Sequence, residues 1–338
     1  MRAVKAVLRV LIFFGSLFAS AVLLTRVIPP APIPQFSEKL AFFAAHKDDY
    51  DTLFLGSSRT FRQVLPAIFD PLMAAGGQPT RTFNFGLDGM FSPEDAYVAE
   101  KIFALRPRKL RRVFIEVSHF NTDFAAQPAE TRRALHWHDW PRTRLLWRDI
   151  FMDGKTSRLT NPRRWARAWE HGRLFLIRAF NAGEGTRFLD PWRGIPPLPP
   201  QWVMGSAGDG AVPYAEETEY PGKDRALFES ELAILRAGKA KIGKLAASPL
   251  ESMRETIARV HALGAEPVLF ISPMVVTRIT SPVGQVSAPI LDFSDPHRWP
   301  MLFDPAHRYD RGHLNSPGSR LYTRLFAEQV LVLPSPSH

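Results

Sequence analysis

Two segments of the chain hold residue types that, brought together, would carry out acyl transfer. Leu53-Phe54-Leu55-Gly56-Ser57-Ser58 ends in adjacent hydroxyls, and Asp310-Arg311-Gly312-His313 sets a carboxylate three residues before an imidazole. Hydrolysis or transfer of an acyl group needs a nucleophile, a base to deprotonate it and donors for the developing oxyanion. A serine supplies the first and a histidine the second. A carboxylate behind the imidazole orients it and stabilises its charged form. Asp304-Pro305-Ala306-His307 repeats the Asp-x-x-His spacing, and in a chain with ten histidines the spacing alone decides nothing. The residues that follow separate the two pairs. Ser316-Pro317 reads as a helix start, N-cap and then Pro at the first helical position, with Leu321, Leu325, Phe326 and Val330 as its apolar stripe. His313 is therefore expected on the loop just before the final helix, held there by packing. His307 is followed by Arg308-Tyr309, and Pro305 makes its own segment a turn.

The elements that must position these groups are legible as short apolar runs. Asp51 to Thr60 reads as a buried strand, a tight turn and a helix opening, continued by Phe61, Val64, Leu65, Ile68 and Phe69. Further strands are expected at Thr82 to Phe85, Arg112 to Val117 and Pro267 to Ile271. The last follows a helix marked by Leu250, Met253, Ile257 and Val260, with Gly264 as its C′ residue. Strand and helix in alternation predict an α/β fold, a three-layer sandwich with a mostly parallel central sheet and helices on both faces. The serines then stand at the carboxyl edge of that sheet.

These blocks resemble those of the SGNH (GDSL-like) hydrolase superfamily. Leu55-Gly56-Ser57-Ser58 is similar to the family's Gly-Asp-Ser block, which implies Ser58 as nucleophile, with Ser57 in the Asp place. Phe83-Asn84-Phe85-Gly86-Leu87-Asp88-Gly89 resembles the second block, whose closing glycine, here Gly89, gives an oxyanion-hole N–H beside that of Ser58. The third block of the family is Gly-x-Asn after a strand; here Ser118-His119-Phe120-Asn121 follows the strand, with Asn121 out of clean register and Ser118 or His119 as substitute donors. Asp310 and His313 match the family's Asp-x-x-His. The resemblance covers about residues 48–120 and 250–335. The Gly-Ser-Ser variant behind an N-terminal anchor is similar to the membrane-anchored branch, which includes proteins of teichoic-acid D-alanylation and exopolysaccharide O-acetylation.

Arg2, Lys5 and Arg9 precede an uncharged run from Val10 to Thr25, closed by Arg26, Pro29 and Pro30. A basic start before an apolar stretch is a signal peptide or an N-terminal anchor. Ala19-Ser20-Ala21 resembles a cleavage site, but Val22-Leu23-Leu24 carries the apolar run past it. An uncleaved anchor over residues 1–28 is expected, with the rest of the chain outside the cytoplasm, periplasmic and single-pass. Residues 29–48 read as a proline-punctuated tether with a short amphipathic helix near Ser37 to Ala45, and 49–335 as the α/β domain. Within it, about residues 125–225 form an insertion or cap in which Arg and Trp interleave, followed by Pro191 to Pro200 and the loop-like run Gly205 to Gly210. Such a segment binds sugars, nucleic acid or headgroups, or is a set of helices with Trp buried and Arg solvated. Both readings fit the composition.

The 338 residues include 43 Lys and Arg against 33 Asp and Glu, a formal charge of +10 that favours acidic partners. An extracytoplasmic location lowers nucleic acid among them. Zero cysteine excludes thiolate nucleophiles, disulfides and Cys-based metal sites. Gly238 to Lys244 imitates a phosphate-binding loop, but Leu245 stands where Ser or Thr must be, and the run falls in a helical pattern. There is no H-E-x-x-H and no G-x-S-x-G, and no metal or cofactor is called for. Two functional classes follow. One is a serine acyl-esterase or O-acyltransferase acting on a cell-envelope polysaccharide or a similar acyl acceptor. The other is a catalytically weak polysaccharide-binding or scaffold partner of a membrane-bound O-acyltransferase.

Overall fold

The computed structural model describes residues 2–27, 32–120, 132–153, 162–181, 201–214 and 224–334. They fall into two compact units, residues 1–34 with 122–198 and residues 35–121 with 199–338.

The larger unit is α/β. Among the described residues its sheet has five strands, β1 (Thr52–Gly56), β2 (Thr82–Gly86), β3 (Arg112–Glu116), β5 (Glu266–Ile271) and β7 (Ile290–Asp292), in the order β2-β1-β3-β5-β7. Every pairing is parallel, and Thr52 faces both Thr82 and Arg112, so β1, β2 and β3 start level. β1 to β3 are buried along their whole length, as a sheet covered on both faces requires. On one face Phe54 stacks on Phe114 at 4.5 Å and meets Phe69 and Phe326 edge-on. Helices Ser58–Gln63, Pro66–Ala75 and Ser316–Leu331 cover that face. On the other, Phe83 and Phe85 receive Phe43 at 5.4 and 6.3 Å. This face belongs to helices Phe36–His46, Glu94–Phe103 and Ala247–Ala262.

Local chemistry sets the element ends. Pro66 forces Leu65 out of helical geometry (φ −109°, ψ 99°), so the expected single helix after β1 is two. Gly264 takes φ 76°. Its N–H donates to His261 O and that of Ala265 to Val260 O, which satisfies the last carbonyls of helix Ala247–Ala262.

Three expectations change. Helix Phe36–His46, assigned to a tether, buries Phe36, Lys39 and Phe43 in the larger unit. The run Gly238 to Lys244 is not helical: it holds β4 (Lys241–Gly243), which pairs in parallel with β6 (Arg278–Thr280). Gly205 to Gly210 is more than a loop, since the Asn84 N–H of β2 donates to Asp209 O at 2.9 Å and sheathes the sheet edge. The stretch of about residues 125–225 is divided between the units, residues 122–198 grouping with residues 1–34 and residues 199–338 with residues 35–121.

In the smaller unit, Ala3–Leu24 is a 22-residue stretch of helix, mean hydropathy 2.3, long and apolar enough to cross a membrane. Helices Arg132–Trp137, Trp140–Arg148 and Pro162–Ala179 form the rest of its described regular structure, with a π turn at Asp149–Asp153. The expectation of buried Trp and solvated Arg is reversed at several positions. Trp165 and Trp169 are 56% and 65% exposed, while Arg142 is buried against Asp139 at 2.9 Å.

Candidate active site

Ser57 and Ser58 follow β1 directly. Ser57 is the N-cap of helix Ser58–Gln63, its Oγ accepting the Arg59 N–H at 3.3 Å, and Ser58 is the first helical residue. That helix sits hard against the sheet ends because two strand-end residues lack side chains. A Cβ on Gly56 would lie 1.9 Å from Thr60 Oγ1, and one on Gly86 would lie 2.2 Å from the Phe61 nitrogen.

From the far end of the sequence comes the partner. Ser58 Oγ and His313 Nε2 are 2.7 Å apart, and His313 Nδ1 is 2.9 and 2.8 Å from the two Asp310 carboxylate oxygens. With Nδ1–H donating to Asp310, the neutral imidazole leaves Nε2 unprotonated to accept the Ser58 hydroxyl. Asp310 Oδ1 also accepts the N–H groups of Gly312 (2.6 Å) and His313 (2.8 Å). Burial pushes the Asp310 carboxyl up, but the hydrogen bond and charge of His313, with those two N–H groups, outweigh it and leave it below its ordinary value.

The second Asp-x-x-His pair does something else. Asp304 caps the turn Pro305–His307 by accepting the Ala306 N–H, and His307 Nδ1 bonds Met301 O at 2.8 Å. The final helix does begin after His313, but its N-cap is Asn315 rather than Ser316. Asn315 Oδ1 accepts the Gly318 N–H at 2.9 Å while its Nδ2 donates to Ala306 O at 2.7 Å. The carboxamide offers an acceptor to the helix and a donor to the preceding turn on two separate atoms, which ties the two together.

Three residues that pattern reading missed hold this site. Arg308 is fully buried and donates to the carbonyls of Pro273, Leu302, Asp310 and Arg311, fixing the loop that carries Asp310 and His313. Glu116, at the end of β3, accepts the Ser57 N–H (2.7 Å) and the hydroxyls of Ser57 (2.9 Å), Thr60 (2.9 Å) and Ser272 (3.2 Å), and it pairs with Arg59. Burial would raise its carboxyl; the Arg59 charge and the bonds from Arg59 and Ser57 bring it below the ordinary value. Lys39 is buried under Gly86 and donates to the carbonyls of Asn84, Gly86 and Gly210 at 3.0, 2.7 and 2.6 Å. Its burial lowers the ammonium pKa well below normal. Glu116 and Lys39 find most of their partners far away in sequence, and Arg308 bonds backbone carbonyls, which leave no side-chain pattern, so no local spacing announces these roles. Only the Gly-rich run, with Gly210 at φ 85° pressed on Asn84 O, carried a local mark.

The other expected donors fall as follows. The Ser58 N–H lies in the first helical turn, where no intrahelical acceptor exists. Gly89 turns the chain after β2 at φ 63°, and the Leu87 N–H to Gly56 O bond (2.9 Å) keeps that turn beside the serines. Asn121 lies outside the described residues. Ser118 is not a substitute donor, because its hydroxyl donates to Asp95 at 2.7 Å. Tyr214 lies edge-on to His313 at 5.5 Å and stacks on Tyr309 at 4.0 Å, with Arg62, itself paired to Asp88, over its ring. Burial pushes the Tyr214 phenol up to about 12, so it stays a neutral donor. Among the described residues no three His, Asp or Glu side chains converge as a metal site needs. No family model matches the sequence, and no curated protein does.

Proposed function

We propose that this protein is a serine acyl-esterase or O-acyltransferase of the SGNH-like type, anchored by its N-terminal helix with the α/β unit on the periplasmic side. The observation that carries the reading is the chain Ser58 Oγ–His313 Nε2 and His313 Nδ1–Asp310, at 2.7 and 2.8 Å. Ser58 Oγ attacks the ester carbonyl carbon as its proton passes to His313 Nε2. The oxyanion is met by the N–H groups of Ser58 and Gly89. Collapse breaks the ester C–O bond, and His313 returns the proton to the leaving alkoxide. An acceptor hydroxyl, from water or a cell-envelope polysaccharide, then loses its proton to His313 as its oxygen attacks the acyl carbon, the bond from that carbon to Ser58 Oγ breaks, and His313 returns the proton to Ser58. Asp310 keeps the imidazole in the required tautomer throughout.

The basic residues Arg2, Lys5 and Arg9 ahead of the apolar helix favour an N-in, C-out orientation. The scaffold reading, as partner of a membrane-bound O-acyltransferase, draws on one observation. Where the family's third block has Gly-x-Asn, this chain has Ser118 with its hydroxyl already committed to Asp95. Loss of one oxyanion donor costs about 100-fold or more in rate, so the two readings differ in activity. The test is hydrolysis of p-nitrophenyl acetate by the full chain, and acetyl transfer to a neutral polysaccharide. Turnover that disappears in Ser58→Ala supports the enzyme. Turnover equal in wild type and Ser58→Ala supports the scaffold.

A further inference from the structure

The smaller unit holds most of the chain's excess charge and its most exposed tryptophans. Residues 132–181 contain twelve Lys and Arg against four Asp and Glu, in a chain whose whole excess is +10. Helix Pro162–Ala179 buries Ala168, His171 and Leu174. That face packs on helix Trp140–Arg148, where Trp147 Nε1 donates to Ala168 O at 2.8 Å. Trp165, Trp169 and Leu176 recur at i, i+4 and i+11, which at 100° per residue places them within roughly 40° of arc on the opposite face. They are 56%, 65% and 46% exposed. A soluble surface gains nothing from such a stripe. Nearby, Arg144 and Arg148 line a hollow of about 320 Å³ whose floor is Leu145, Trp147, Phe151 and Met152, a pairing of cationic rim and apolar base.

The same unit contains the apolar helix, and the two are joined. Asn181 Nδ2 donates to Ala21 O at 2.8 Å, and Phe180 meets Phe18 edge-on at 6.0 Å. At 1.5 Å per residue Ala21 lies about 4.5 Å, and Phe18 about 9 Å, inside the end of the apolar stretch at Leu24. That depth is where aromatic belts and interfacial helices sit. We propose that helix Pro162–Ala179 and the Arg144/Arg148 hollow form a second membrane contact, an interfacial face that lies on anionic phospholipid headgroups next to the transmembrane helix. Trp165, Trp169 and Leu176 enter the headgroup–acyl boundary, and the arginines pair with lipid phosphates. The charge fits an anionic leaflet, and the bond to Ala21 holds the face at the bilayer. The inference rests on the reading of Arg2–Val27 as a membrane span.

The chain has no cysteine, so a nitroxide can be placed at one site at a time without background. Ala166→Cys and Leu176→Cys label the exposed face and leave both tryptophans in place, Leu11→Cys labels the span, and Ile242→Cys, 74% exposed in the larger unit, is the aqueous reference. The full-length protein is reconstituted in vesicles of phosphatidylglycerol and phosphatidylcholine, or phosphatidylcholine alone, and collision with an aqueous nickel chelate is read by power saturation. Labels at 166 and 176 should be shielded from nickel several-fold relative to 242, less so without phosphatidylglycerol and less so in Trp165→Ala/Trp169→Ala. Nickel access at 166 and 176 equal to that at 242 overturns the proposal. Shielding that arises only on adding an acidic polysaccharide or nucleic acid overturns it too, and assigns the face to that polymer. Nickel access at 11 removes the span reading and the proposal with it, whereas a shielded 11 beside an accessible 166 removes only the interfacial face.

Discussion

Adjacent hydroxyls at Ser57 and Ser58 meet opposite surroundings. Ser57 is 2% exposed with its hydroxyl held by Glu116, while the Ser58 hydroxyl faces an imidazole in a half-open site. His313 and His307 divide in the same way, one between a serine and a carboxylate, the other bound to the carbonyl of Met301. His313→Ala should therefore lower ester hydrolysis by several orders of magnitude, as loss of a triad base does. Asp310→Asn should lower it as much or less, by mis-setting the tautomer, and His307→Ala should leave it near wild type. Steady-state rates on one ester decide the matter; a large loss in His307→Ala would move the base upstream. The Ser, His and Asp were readable from sequence because each stands next to a strong local signal, a strand end or a helix start. Glu116 and Arg308 were not. Glu116 reaches its Ser57 partner across 59 residues, and Arg308, one residue after a surface histidine, looks like any solvated arginine until its four carbonyl partners are in place.

Among the elements, the strands legible in the sequence are those buried on both faces, because full burial writes a continuous apolar run. β1, β3 and β5 do so along most of their length, and β2 does so less cleanly, with Phe83 and Phe85 on either side of a buried Asn84; β7 has three residues, too few for any pattern, and is found only because it pairs with β5. Helix Phe36–His46 was legible as a helix but not as part of the core, since the prolines before it dominate the local composition. Its inward lysine, Lys39, looks polar until three carbonyls surround it. The tight seat of helix Ser58–Gln63 on β1 and β2 is the feature most exposed to a single methyl group. In Gly86→Ala the new Cβ meets backbone at 2.2 Å rather than the end of a flexible side chain. The helix must shift, and the cost should be roughly 1–3 kcal/mol or more, as for other overpacked sites. Chemical denaturation reads it as a lowered midpoint with slower ester hydrolysis, because the same shift moves Ser58. An unchanged midpoint would mean that the helix rides freely over the strand end.

For the whole molecule, acid should weaken the smaller unit. His138 is fully buried in the smaller unit, its Nε2 2.9 Å from His171 Nδ1, and burial lowers its pKa to about 3. An unfolded histidine titrates near 6.5, so between that pH and about 3 the unfolded chain binds the extra proton and the folded unit does not. Stability from the neutral ring is complete above about pH 6.5 and is lost progressively as pH falls. Thermal unfolding followed from pH 7 to 4 should show a loss that His138→Gln largely removes; a pH-independent smaller unit would contradict the buried neutral ring. Orientation is the second whole-molecule expectation. The protein should sediment with membranes, and a reporter active only outside the cytoplasm, fused after His338, should be active. A reporter active only in the cytoplasm at the same place should be silent, and its activity would reverse the topology.

In the proposed reading Ser58, activated by His313, is a nucleophile. Fluorophosphonate labelling of the folded full-length protein, with the modified residue mapped by mass spectrometry, tests it without knowledge of the natural substrate. A single adduct on Ser58 is expected, absent in Ser58→Ala, slowed by orders of magnitude in His313→Ala and retained in Ser57→Ala. A folded protein that takes no label, or carries it on Ser57, would contradict it.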